Sequence, residues 1–369
     1  MRIGIEVTAA VRQGAGIGRY TRELIRALAR VDAVNIYTLF YASPPPLPCP
    51  LPPLPPRFVS RGLPFHDIWL ARVWHRLQLP INVELITGPL DVYHAPDFTL
   101  PPVQARSVLT VHDLSFVRDP ESASPGLRSY LQQVVPRSVQ KATHVIAVSD
   151  ATKHDLIELY HTPADKITVL YEGVDPIFRP TPNPAIRAKY NLGPAPYIFS
   201  ISTIQPRKNY RRLIQAFAGL PKEFNLVIAG GKGWLSADIF AEAEQPAVRG
   251  RVKFIGFAPD DDLPALYTEA AAFAYPSLYE GFGLPLLEAM ACGAPTLTSG
   301  VSCLPEIAGG AAVLVDPLSV ESIAAGLKQT LAERDRLTML GVVRAAQFRW
   351  EETARRVVTL YRSLANGTL

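Results

Sequence analysis

Residues 275–295 read YPSLYEGFGLPLLEAMACGAP. The run before the first glycine, AAFAY at 271–275, has strand character, and LLEAMA at 286–291 has helix character. Between them, Gly281 and Gly283 permit a tight turn and close approach of a ligand to the backbone. Pro285 has no N–H to lose and suits a helix's first turn. The N–H groups of Phe282, Gly283 and Leu284 would then point at a polar ligand. Glu280 precedes the turn, and Glu288 lies about one turn inside the helix. One strand–loop–helix segment therefore offers two carboxylates and several donors, as a ligand covered in hydroxyls requires. The bare spacing of the glutamates also fits a plain βα loop with a solvated Glu at each end; the whole string carries the chemistry.

The same alternation of short apolar runs with longer amphipathic ones extends through the chain and predicts α/β structure with parallel sheets. Expected strands of the first half are 3–7, 35–41, 108–111 and 144–148. The pattern restarts at Tyr197, with strands expected at 198–201, 225–228, 252–255 and 271–275. Pro176, Pro180, Pro182, Pro184, Pro194 and Pro196 crowd the segment between the halves. Domains are accordingly expected at 1–175 and 176–350. A final helix spans 351–364, with Ala354, Val357, Val358, Tyr361 and Leu364 on one face.

At 369 residues the chain suits two domains, and 48% hydrophobic residues supply two cores. A net charge of +4 is mild, and no dense Lys/Arg run with interleaved aromatics suggests nucleic acid. The three cysteines, Cys49, Cys292 and Cys303, lack metal-ligand spacing. Their odd number, with no secretory pattern in the first residues, predicts a reducing, cytoplasmic setting. No run of about 18 apolar residues suggests a transmembrane helix.

Residues 204–209, IQPRKN, follow the first strand of the second half. Arg207 brings a planar fork and Lys208 a compact ammonium, a combination suited to a diphosphate. Gly14-Ala15-Gly16-Ile17-Gly18-Arg19-Tyr20 joins a strand to a helix but is not a dinucleotide fingerprint: counted from Gly14 or Gly16, the third glycine position holds Arg19 or Thr21. A nicotinamide oxidoreductase is therefore disfavoured. Gly230-Gly231-Lys232 lacks the rest of a P-loop. Asp260-Asp261-Asp262 precedes a helix and reads as its cap rather than a metal site. Ser149 also reads as a helix cap. His112 ends the strand 108–111, where it could be a satisfied core residue or a ligand contact.

These strings resemble the signature of retaining nucleotide-sugar glycosyltransferases of family 4 (glycosyl transferases group 1). The resemblance spans nearly the whole chain, is densest over 197–317, and includes Thr110-Val111-His112-Asp113-Leu114, Leu304-Pro305-Glu306 and Val315-Asp316-Pro317. It implies a GT-B architecture: two Rossmann-like domains facing an interdomain cleft, with the last helix (351–369) returning to the first domain. It implies that Glu280 and His112 lie by the donor sugar and that Phe282, Gly283 and Leu284 meet its hydroxyls. By the same likeness Glu288 bonds the ribose, Arg207 and Lys208 hold the diphosphate, and Gly16 and Gly18 allow close approach. Tyr171-Glu172-Gly173-Val174-Asp175 matches a motif that usually has Asn where Glu172 stands, a variant found in mannosyltransferase-like members. Some mannosyl-transferring members carry a further Arg at the position of Ser202.

The resemblance implies hexose transfer from GDP-mannose, or secondarily UDP-glucose, to a glycan or lipid-linked acceptor, with retention and no catalytic metal or other cofactor. Replacing Glu280 or Lys208 by Ala is expected to cost activity without unfolding. The alternatives are a nucleotide-sugar epimerase of the same architecture and a non-catalytic sugar-nucleotide binding protein. A phosphorylase would need a pyridoxal-phosphate lysine motif, which is not found. Two segments stand outside these strings. The proline-rich stretch at 43–56 predicts a stiff polyproline II loop. Residues 65–77 predict a helix whose broad apolar face either packs in the core or touches a membrane peripherally.

Overall fold

The computed structural model describes residues 1–14, 16–49 and 51–369. The chain forms two compact units. The first comprises Met1–Leu114, Pro125–Gly173 and Arg349–Leu369; the second comprises Ser115–Ser124 and Val174–Phe348.

The first unit is built on seven strands: β1 (Arg2–Glu6), β2 (Ile36–Ala42), β3 (Phe58–Leu63), β4 (Val92–Ala95), β5 (Arg106–Val111), β6 (His144–Ala147) and β7 (Ile167–Val169). They lie in the order β3-β2-β1-β4-β5-β6-β7, all parallel. Central strands are apolar on both faces, as a parallel sheet covered by helices requires: Ile3 and Ile5 of β1 and every residue of β4 and β6 are buried. The chain starts mid-sheet, winds outward through β2 and β3, then returns to place β4 on the other side of β1. The strand order therefore reverses between β1 and β4. In such sheets, ligands bind beyond the carboxyl ends of the strands at that reversal.

The second unit repeats this design with β8 (Tyr197–Ile201), β9 (Asn225–Ala229), β10 (Val252–Gly256), β11 (Ala272–Tyr275), β12 (Thr296–Ser299) and β13 (Ala312–Val315). Their order is β10-β9-β8-β11-β12-β13, again all parallel, with the reversal between β8 and β11. Leu213, Ile214 and Phe217 from one helix and Ile323 and Leu327 from another join Ile198, Ile228 and Leu297 of the sheet in one core.

The last helix, Trp350–Ala365, belongs to the first unit and packs on the helix Ile17–Val31. Trp350 meets Tyr20 edge-on, and Arg30 pairs with Glu351 at 2.9 Å. Tyr361 hydrogen-bonds His94 Nδ1 at 2.6 Å, and Thr110 Oγ1 lies 2.7 Å from Nε2. Burial, reinforced by His112, pushes the His94 imidazole down to about 3. His94 is therefore a neutral core residue that ties this helix to β4 and β5.

Three expectations need correction. Residues 65–77 do not form one helix with one apolar face: a short α-turn, Ile68–Leu70, passes into a π-helical turn, Ala71–Arg76. The wider turn rotates the side chains out of a 3.6-residue repeat. Trp74 goes inside, whereas Ile68, Trp69 and Leu77 are 52%, 55% and 64% exposed. Asp262 sits at the start of the helix Leu263–Thr268 but makes no capping bond. Its carboxylate instead accepts from Lys189 Nζ at 2.8 Å and Tyr190 OH at 2.6 Å. Finally, β3, β4, β7, β12 and β13 were not among the expected strands. Pro50, within the proline-rich stretch, lies outside the described residues.

Candidate active site

At the reversal between β8 and β11, the loop after β8 carries Arg207 and Lys208 on one 3₁₀ turn, Pro206–Lys208. The loop after β11 brings Glu280 to meet them. Arg207 Nη1 lies 2.8 Å from Glu280 Oε2, and Lys208 Nζ lies 2.6 Å from Oε1. Glu280 is only 6% exposed. Burial alone would raise its pKa, but the two cations outweigh burial and hold the carboxyl at about 2. Sequence spacing does not show this triad, because Glu280 lies 73 residues beyond Arg207.

The surrounding bonds fix both loops. Asn209 adopts the left-handed conformation, and its Nδ2 donates to the carbonyls of Pro276 (2.9 Å) and Pro317 (2.7 Å). The Arg207 guanidinium also donates to the Tyr279 carbonyl. From β12, Thr298 Oγ1 donates to Tyr275 O and Ser299 Oγ to Ser277 O. Ser302 Oγ accepts from the Glu280 N–H at 3.1 Å, and Cys303 Sγ donates to the Glu280 carbonyl at 3.2 Å. Lys208 Nζ donates to Tyr275 OH at 3.1 Å. Preorganised cations of this kind suit a group whose negative charge grows as a bond breaks.

Gly283 precedes the helix Leu284–Ala291 with φ at +95°, a conformation that favours glycine. A Cβ there would stand 3.0 Å from Leu304 Cδ2. Pro285 falls in the helix's first turn. Glu288 is buried within this helix and accepts from Tyr267 OH at 3.0 Å. Phe282 is buried and packs edge-on against Phe348.

The remaining expected residues lie in the first unit. Gly16 has φ at +59° and precedes the helix Ile17–Val31, with open space where a Cβ would project. Gly18 differs. A Cβ there would fall 2.2 Å from Gln13 O and 2.6 Å from Ala9 O, so its small size serves packing of that helix on Thr8–Arg12. Arg22 grips this loop, donating to the carbonyls of Ala10, Gln13 and Gly14. Ala15 lies outside the described residues.

His112 follows β5 with both ring nitrogens engaged. Nε2 is 2.8 Å from Pro96 O, and Nδ1 is 3.5 Å from Glu172 Oε1. Burial would lower the imidazole, but Glu172, Pro96 O and Asp97 together raise it above its ordinary 6.5. Glu172 is thus the acidic partner of His112. Ser149 caps its helix as expected, accepting from the Thr152 N–H at 3.1 Å. Among the described residues, no three His, Cys, Asp or Glu side chains converge to hold a metal, and no helix is long and apolar enough to cross a membrane.

Both units are thus doubly wound parallel sheets, and the second holds paired cations on a buried glutamate at its reversal point. Solved structures agree on the fold. Sucrose-phosphate synthase from Thermosynechococcus elongatus superposes with a TM-score of 0.78 at 21% identity over 100% of both chains. Anabaena HepE, solved with UDP and glucose, gives 0.75 at 19% identity over 98% of this chain and 100% of its own. The family description Glycosyltransferase Family 4 matches residues 14–178, and Glycosyl transferases group 1 matches residues 182–342. The O-antigen chain mannosyltransferase B of Escherichia coli is 34% identical over 95% of this chain and 96% of its own. The chain belongs to glycosyltransferase family 4, among its mannosyltransferase-like members.

Proposed function

We propose that this chain is a retaining mannosyltransferase of surface polysaccharide synthesis. It moves mannose from GDP-mannose to a hydroxyl of a glycan or lipid-linked acceptor; UDP-glucose is the second-ranked donor. The observation that carries the reading is the Arg207–Glu280–Lys208 triad at the reversal of the second sheet. Glu172, and the mannosyl transfer named for the Escherichia coli relative, favour mannose.

In this scheme Arg207 and Lys208 bind the diphosphate and neutralise it as the sugar C1–O bond breaks. No carboxylate of the motif set is placed as a covalent nucleophile, so the acceptor oxygen attacks from the departing phosphate's own face. A phosphate oxygen takes the acceptor's hydroxyl proton. Glu280 and His112 orient the sugar, Phe282, Gly283 and Leu284 meet its hydroxyls, Glu288 holds the ribose, and Gly16 lets the phosphates approach. For His112 to reach the sugar, one of its present partners must yield. The scheme uses no metal or other cofactor, since side chains supply the cations. The reaction belongs in the cytoplasm, at the inner face of the membrane, supported by exposed Ile68, Trp69 and Leu77 bordered by Arg72 and Arg76.

Calorimetric titration with GDP, UDP and ADP tests the donor. GDP selectivity, weakened roughly tenfold or more by Lys208→Ala, is expected. Binding of none of the three would refute the reading.

A further inference from the structure

Glu280 is held in two ways that differ in kind. Arg207 and Lys208 hold its carboxylate, at 2.8 and 2.6 Å. The turn that follows β12 holds its backbone. There Ser302 Oγ accepts from the Glu280 N–H at 3.1 Å, and Cys303 Sγ donates to the Glu280 carbonyl at 3.2 Å. These two bonds fall on the peptides either side of the Glu280 Cα, so together they restrain both soft backbone dihedrals of that residue. The direction in which its side chain leaves the backbone is thereby set without help from the ion pairs.

The turn is shaped for this hold. Ser302 has φ at +53°, a region that favours glycine, yet the residue there carries the hydroxyl that the Glu280 N–H bonds. Cys303 is fully buried at the start of the helix Leu304–Ala308. Burial, with Glu280 and Glu306 adding to it, pushes the thiol well above its ordinary 9, so it stays an S–H donor. Ser299, at the end of β12, adds a parallel tie by donating to the Ser277 carbonyl at 2.6 Å. All three ties run from β12 and its turn to the loop after β11.

The two holds separate when a diphosphate arrives. In the donor complex proposed above, Arg207 and Lys208 take up the phosphates, and their attraction for Glu280 is then shared with a second anion. The backbone bonds involve neither cation and survive that exchange. They leave the carboxylate only its own side-chain rotamers to choose from. Misplacing a reacting geometry by about 1 Å is enough to cost roughly 100-fold in rate.

We propose that Ser302 and Cys303 are positioning residues for Glu280, keeping its carboxylate aimed at the sugar while Arg207 and Lys208 turn to the diphosphate. The proposal rests on the transferase reading and adds two residues that touch no reacting atom.

The test uses the full chain with Ser302→Gly, Cys303→Ala and Cys303→Ser. Three quantities are measured: transfer from GDP-mannose to methyl α-D-mannopyranoside, GDP affinity by calorimetry, and hydrogen exchange at the Glu280 amide with and without GDP. Ser302→Gly removes the acceptor but suits the positive φ, so its melting temperature should stay near that of wild type while kcat falls roughly tenfold or more. Cys303→Ala should lose a similar factor, and Cys303→Ser, which restores a donor, should recover to within about threefold of wild type. GDP affinity should stay within about twofold throughout, because the cations are untouched. In the GDP complex the Glu280 amide should stay protected in wild type and exchange roughly tenfold faster in Ser302→Gly. Wild-type kcat in both Ser302→Gly and Cys303→Ala would overturn the proposal. So would GDP affinity falling in step with kcat, which would mean a general collapse of the site, or Cys303→Ser doing no better than Cys303→Ala, which would mean that volume matters and not the donor. The expected exchange pattern in a protein that transfers no hexose would uphold the backbone hold and refute the transferase reading alone.

Discussion

Glu280→Gln removes one negative charge from between two cations and changes the side chain's shape little. The wild-type carboxyl moves from an ordinary 4.5 to about 2 on folding, because Arg207 and Lys208 outweigh the cost of burial. Each tenfold change in protonation is worth about 1.4 kcal/mol, so the ionised carboxylate contributes about 3 kcal/mol at pH 7. Its pKa is depressed in the folded state. The contribution is therefore present above 4.5 and is lost as pH falls from 4.5 toward about 2. Losses of about 3–5 kcal/mol on breaking a buried pair agree with this figure. Glu280→Ala should therefore lose stability as well as activity while still folding.

Urea titrations at pH 7 and 3.5 measure the gap between wild type and Glu280→Gln. It should be about 3 kcal/mol at pH 7 and about 2 at pH 3.5. A second consequence has the opposite sign. With the competing carboxylate gone, both cations lose their ion pair to it, and GDP should bind roughly tenfold tighter while sugar transfer falls. A variant as stable as wild type at pH 7, with unchanged GDP affinity, would refute the triad as the organiser of this site.

Glu172→Gln should drop the His112 pKa, since burial then acts against less counter-charge; histidine NMR titration reads this directly. In the wild type the pair stabilises the fold fully below pH 6.5 and ceases to do so as pH rises through the elevated folded value. Gly18→Ala forces a methyl to within 2.2 Å of Gln13 O and should cost about 1–3 kcal/mol, seen as a lower melting temperature. Flotation with anionic vesicles should carry the protein upward at low salt, and Trp69→Ser with Leu77→Ser should abolish this; flotation unaffected by the double variant would return the surface to ordinary solvent exposure.

Legibility followed locality. The loop at 275–295 and the IQPRKN string carry their chemistry within a few residues, so strand, turn, helix and charge can be read together. The short strands do not announce themselves. β4 has only four residues, and β3, at the sheet edge, leaves four of its six residues exposed, which erases the apolar alternation. Residues 65–77 misled because a π-turn breaks the repeat on which helical faces depend. Long-range pairs were invisible for a different reason. Glu172 meets His112, and Glu6 shares a cavity with Asp67 and Asp97, only because parallel strands set distant loops side by side at one edge. Gly18 was assigned to ligand approach on motif grounds, whereas its Cβ position is filled by backbone carbonyls.

The most direct test of the account is the product's anomeric configuration. GDP-α-mannose labelled with ¹³C at C1 is incubated with the protein and a neutral mannoside acceptor, and the new linkage is read from its one-bond C1–H1 coupling. The account requires an α-linked product that disappears with Lys208→Ala. A β-linked product, or an idle GDP-mannose in a protein that consumes another nucleotide sugar, would contradict it.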